Sequence, residues 1–125
     1  MYTVTIRDHI MIAHSLKNEA FGPAQKMHGA TYVVDATFMS EQLNDANIVI
    51  DIALAHKVLK HVLSPLNYQN LDELPELKNE LTTTEFLARY IHQKISEEVK
   101  VYFSGRLKVN LGESHVAWAG YEGNI

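Results

Sequence analysis

The chain contains no cysteine in 125 residues. That absence excludes a disulfide framework, a thiolate zinc site and a cysteine nucleophile. No apolar run approaches the roughly 20 residues needed to cross a bilayer, and the N-terminus lacks a signal-peptide pattern, so no membrane partner is expected and a cytoplasmic protein is the default. Lysine and arginine form no cluster interleaved with aromatics, and the formal charge is −4. Nucleic acid is therefore not an expected partner. Internal repeats and low-complexity segments are also missing.

Histidine is what the chain has in quantity, with seven residues, which keeps metal and acid–base chemistry in play. The length fits one domain, residues 1–125, with a single core. Hydrophobic residues make up 46% and charged residues 21%, ordinary values for a globular protein.

The run from Met27 to Phe38 alternates small or polar residues with bulky ones, the period of a half-buried strand. Strand geometry puts His28, Ala30, Tyr32, Val34, Ala36 and Phe38 on one face. Residues 2–14 read as an earlier strand, with Val4, Ile6, Ile10, Ile12 and His14 on one side, interrupted by Asp8. Residues 15–26 carry Lys17, Asn18, Glu19, Gly22 and Pro23, which is loop chemistry.

Ala55, Val58, Leu59, Val62 and Leu63 have the spacing of an amphipathic helix, with His56, Lys57, Lys60 and His61 on its solvated flank. Ser64-Pro65 ends it. The connector from Leu66 to Pro75 carries enough apolar residues to pack and line a site. Thr82 and Glu85 spell a capping box, or Thr83 caps, for a second helix buried through Leu87, Ala88, Ile91 and Ile95. His92 beside that stripe reads as structural. Two final strands are expected over Val101–Leu111 and Val116–Tyr121. The order β-β-α-α-β-β predicts an α+β fold: a four-stranded antiparallel sheet with both helices on one face. Its two open edges favour oligomerisation.

With those elements in place, the chain resembles the 6-pyruvoyltetrahydropterin synthase / 6-carboxytetrahydropterin synthase family, which has the tunnelling fold. Ile12-Ala13-His14 resembles the family's Ala-Ala-His, and His28-Gly29-Ala30 its His-Gly-His. Ile50-Asp51-Ile52-Ala53 resembles the entry to its first helix. Pro65 to Asp72 resembles Pro-Leu-Asp-His-x-x-Leu-Asn, and Leu81 to Ala88 resembles Asn-Pro-Thr-x-Glu-x-Leu-Ala. Glu113, followed by Ala117 and Tyr121, resembles the closing Glu-Thr…Ala…Tyr pattern. These matches run in order along almost the whole chain.

The resemblance implies zinc held by three histidines. This sequence supplies His14 and His28, but the third position is Ala30; His115 is a possible substitute. The family's cysteine aligns with Ala24, and its Asp-His pair reads Asn67-Tyr68. Tyr68, with a reference pKa near 10, could donate a proton but is a poor base near neutral pH. The resemblance also implies that Glu113 grips the 2-amino/N3 edge of a pterin through a bidentate contact, with Thr83 nearby. It further implies a homo-trimer closing a twelve-stranded barrel, two trimers stacking into a hexamer, and pockets at subunit interfaces.

The expected function is a synthase-like protein that binds a pterin- or purine-like small molecule, with synthase activity diverged or lost. A second reading is an active metal-dependent lyase or aldolase on a dihydroneopterin-type substrate, using His14 and His28 for metal, with His115 as the candidate third ligand and Tyr68 as proton donor. A third is an oligomeric scaffold without catalysis.

Overall fold

The computed structural model describes residues 1–125. Two long strands, β1 (Tyr2–His14) and β2 (His28–Ser40), form an antiparallel hairpin whose register runs without a break from Tyr2 opposite Ser40 to His14 opposite His28. The chain continues through α1 (Ile52–Leu63), a two-residue strand β3 (Gln69–Asn70) and α2 (Thr84–Val99). It ends in the hairpin of β4 (Arg106–Ser114) and β5 (Ala117–Asn124). The sheet order is β3-β1-β2-β4-β5.

Period-two patterning sorts the sheet into two faces. Ile6, Ile10, Ile12, Tyr32, Val34, Ala36, Phe38, Leu107, Val109 and Leu111 point to the helices and are buried. The stripe expected on α1 is the stripe buried: Ala55, Val58, Leu59, Val62 and Leu63. The α2 stripe meets it, and together they make one core of 25 residues. The opposite sheet face is polar: Thr5 and Thr37 hydroxyls lie 2.8 Å apart, and Arg7 donates twice to Asp35 at 2.7 and 2.9 Å.

Local chemistry fixes the helix starts. Asp51 caps α1 by accepting from the Leu54 amide at 2.9 Å, and Thr83 caps α2 by accepting from Phe86 at 3.1 Å. His92 is buried on α2 and structural, as expected: its Nε2 lies 3.2 Å from the Gly123 carbonyl oxygen, and its ring meets Tyr121 edge-on.

Three expectations need correction. The sheet has five strands, because β3 adds a short parallel pairing to Ile12 and Ala13. Gln-Asn carries no apolar alternation, so this strand exists through backbone pairing and the packing of Leu66 and Leu71 around it, both buried. The β1–β2 connection is more ordered than a plain loop, since Glu19–Gln25 forms 3-10 turns capped by Asn18. Finally, β4 begins at Arg106 rather than Val101. Val101 and Tyr102 lie in an exposed turn, and Phe103 folds back against Phe38. Gly105 then lets the chain enter the sheet, because a Cβ there would stand 2.4 Å from the Met39 carbonyl oxygen.

Candidate functional site

The unbroken β1–β2 register makes His14 and His28 direct partners at the open end of the hairpin, both on the helix side. Their ring centroids are 4.6 Å apart in an edge-to-face arrangement. His28 Nδ1 lies 2.8 Å from the Lys26 carbonyl oxygen. A carbonyl only accepts, so this Nδ1 carries the hydrogen, and in the neutral ring the lone pair is on Nε2.

His14 is buried, and its Nδ1 is 2.9 Å from Thr82 Oγ1. Burial first, then the neighbouring His28, pushes the His14 pKa down; Asp72 and Thr82 oppose the shift. Asp72 is held in turn by Ser15, accepting from its amide at 3.1 and 3.2 Å and from its hydroxyl.

Ala30 sits one step further along β2 on the same face, opposite Ile12, and offers no donor. No group of three His, Cys, Asp or Glu side chains is placed to hold a metal ion. His115 lies in the exposed turn between β4 and β5 and makes no such group with the pair. The two imidazoles therefore do not fit a three-histidine zinc centre within one chain.

Glu113 is set apart by a different device. The β4–β5 register shifts between Gly112 and Ser114, which leaves Glu113 at a bulge, a feature that re-aims side chains. It lines a cavity of about 220 Å³ with Thr84, Glu85, Ala117, Trp118 and Ala119. Beneath it is the Tyr32 phenol, close to Thr84, Glu113 and Glu85; burial, the largest cause, pushes its pKa up to about 12. Tyr32 thus stays a protonated hydroxyl, with its ring in the core.

The N-terminal turn of α2 joins the two clusters. Thr82 reaches back to His14, Thr83 caps the helix, and Thr84 with Glu85 enters the Glu113 cavity. Thr83 is therefore occupied by the backbone, and Thr84 is the threonine beside Glu113. Sequence reasoning missed Thr84, Thr82 and Glu85 as site residues. The available signal was the Thr-Thr-Thr-Glu run itself, which gives a helix start more than one hydroxyl to aim.

Asn67 and Tyr68 are elsewhere. Asn67 Oδ1 accepts from the Met11 amide at 3.0 Å, and the Tyr68 amide donates to the Met11 carbonyl at 2.7 Å. Tyr68 has a left-handed φ of 60° and is 77% exposed. Both residues line a concavity of about 530 Å³ at the β1 edge, with Asp8, His9, Lys60 and Ser64. That edge is across the sheet from β4 and β5. Ala24 lies in the 3-10 segment, where its carbonyl accepts from the Leu16 amide.

The sequence profile described as 6-pyruvoyl tetrahydropterin synthase matches residues 3–124. The chain belongs to the 6-pyruvoyl tetrahydropterin synthase family. It is 29% identical over 91 residues to the 6-carboxy-5,6,7,8-tetrahydropterin synthase of Bacillus subtilis (strain 168), covering 70% of this chain and 60% of that protein. It is also 29% identical over 82 residues to a 6-pyruvoyl tetrahydrobiopterin synthase of Dictyostelium discoideum, covering 64% of this chain and 61% of that one. The chain thus spans about 60% of the length of these curated relatives. Among solved structures, the 6-pyruvoyl tetrahydropterin synthase of Caenorhabditis elegans superposes with a TM-score of 0.85 at 24% identity, covering 98% of this chain and 95% of that one. The Plasmodium falciparum protein of the same name gives 0.81 at 18% identity, covering 99% and 98%. These structures share the fold.

Proposed function

We propose that this protein binds a pterin- or purine-like small molecule at Glu113 and does not carry out the usual synthase reaction of its family. The observation that supports the binding half is the bulge, which frees Glu113 from the sheet and sets it in a small cavity beside Thr84 and Glu85. A carboxylate so placed can accept two parallel hydrogen bonds from the amino and ring N–H edge of such a heterocycle, a charge-assisted bidentate contact.

Ala24 has no titratable group. Ala30 has no metal-donor atom. Asn67 is neutral and spends its side-chain oxygen on the Met11 amide. Tyr68 is an exposed phenol at the other edge of the sheet. The residues left to act on a ligand are His14 and His28, whose Nε2 atoms are not taken up by the partners of their Nδ1 atoms.

The Glu113 cavity, at about 220 Å³, is smaller than the roughly 300–1,000 Å³ of ordinary ligand pockets. That is consistent with half a site, completed by another copy. The sheet ends at β5 on one side and, apart from Ile12 and Ala13 covered by β3, at β1 on the other; closing a barrel through these edges would bring Asn67 and Tyr68 of one copy near the β4–β5 hairpin of the next. A homo-trimer, or two trimers stacked as a hexamer, is the assembly this reading takes, and a cytoplasmic setting agrees with the absence of a helix long and apolar enough to cross a membrane.

A metal-dependent lyase or aldolase is the second reading, favoured by the His28 Nε2 lone pair beside His14. Metal retention separates it from the first. Calorimetric titration with dihydroneopterin and guanosine tests the binding claim: binding by wild type and loss in Glu113→Ala is the expected result. Equal affinity in both proteins removes Glu113 from the site, and no binding by wild type leaves the scaffold reading.

A further inference from the structure

The chain has one tryptophan, Trp118, and β5 sets it directly opposite Gly112 of β4. A Cβ at position 112 would stand 2.8 Å from two carbons of the six-membered ring of the indole and 2.9 Å from a third. The ring therefore lies across the β4 backbone, in space that only a glycine leaves. Gly112 is buried, while Trp118 stays 44% exposed. One face of the indole is spent on the strand, and the other is open to solvent.

Single exposed apolar side chains are common on protein surfaces; what sets this one apart is its position. Gly112 is the residue before Glu113, where the β4–β5 register slips. The indole accordingly joins Glu113, Thr84 and Glu85 around the cavity of about 220 Å³, and it is the only aromatic ring that lines it. Ala117 and Ala119, the remaining lining residues, offer one methyl each. A carboxylate that reads hydrogen-bond donors thus adjoins a flat face that takes a ring in offset stacking.

We propose that Trp118 is the stacking platform of this site and makes its ligand a planar, fused-ring heterocycle. The donor edge of the heterocycle goes to Glu113, and its ring plane lies on the open face of the indole. This platform presupposes that Glu113 is the ligand carboxylate. It adds a selectivity that a carboxylate alone lacks, because guanidinium and amidinium ions present the same pair of donors without two fused rings to stack.

The test pairs calorimetry with the emission of Trp118, the one indole in the chain. Guanosine absorbs at shorter wavelength than indole emits, so quenching by guanosine reports contact rather than energy transfer. Guanosine quenches the emission with the midpoint that calorimetry gives for binding. Trp118→Leu keeps an apolar side chain, removes the aromatic face and weakens guanosine about tenfold, and Trp118→Phe recovers most of that loss. Calorimetric binding with unchanged emission overturns the proposal, as does a folded Trp118→Leu with wild-type affinity. In either case, loss of binding in Glu113→Ala shows that the carboxylate reading still stands. A Trp118→Phe as weak as Trp118→Leu also overturns the platform, because the loss then follows side-chain shape rather than an aromatic face. Absence of binding by wild type overturns the platform and the carboxylate reading together. If Trp118→Leu does not fold, the wild-type quenching and the affinity of Trp118→Phe decide.

Discussion

The hydroxyl of Thr82, two residues before α2 begins, lies 2.9 Å from Nδ1 of His14, the last residue of β1. Both side chains are buried. This contact ties the sheet edge to the helix start, and through Thr84 it connects the histidine pair to the cavity at Glu113.

Thr82→Val keeps the shape of the side chain and removes the hydroxyl. His14 Nδ1 is then left buried without its partner, at a cost of about 1–3 kcal/mol. Urea denaturation of the two proteins measures this directly. A difference inside the error of the extrapolation would mean that His14 finds another partner, and the link between β1 and α2 would lose its importance.

Much of this arrangement is legible in the sequence. Alternation over residues 2–14 and 28–40 puts His14 and His28 on the helix side, and two equal strands make them partners at the hairpin's open end. The α1 stripe can also be read directly, and the α2 cap can be narrowed to Thr82 or Thr83, because each depends on spacing within one element. What cannot be read depends on contacts between elements. The bulge at Glu113 follows from how β4 registers on β5, and the pairing of β3 is made by backbone groups that carry no side-chain signature. The Asn67 contact to Met11 joins residues 56 apart in the chain, so its spacing gives no hint of it.

Tyr32 makes stability pH-dependent on the alkaline side. Its folded pKa of about 12 lies above the ordinary 10.0, so the folded state holds the phenol proton more tightly than the unfolded chain. This contribution is fully present below pH 10 and is lost as pH rises towards 12. Tyr32→Phe lacks the group, so the wild-type advantage over the variant shrinks across that window. Melting temperatures of both proteins from neutral to strongly alkaline pH check it; parallel curves would mean that Tyr32 titrates normally.

On the proposed reading, Ala30 is the position that sets metal affinity. Wild type, dialysed against a chelator and then against micromolar zinc, retains far less than one zinc per chain, since two imidazoles make a poor site. Ala30→His places a third imidazole beside His28 on the same face and raises retention to about one per chain. Elemental analysis gives the stoichiometry. Full retention by wild type would point to the lyase reading, with ligands supplied from outside the single chain; no gain in the variant would contradict the geometry assigned to Ala30.

The most direct measurement is calorimetric titration of dihydroneopterin into wild type and Glu113→Ala, with circular dichroism confirming that both are folded. A bidentate, charge-assisted contact predicts binding by wild type and a loss of about a hundredfold or more in the variant. Unchanged affinity in a folded Glu113→Ala would contradict the assignment of this cavity as the ligand site.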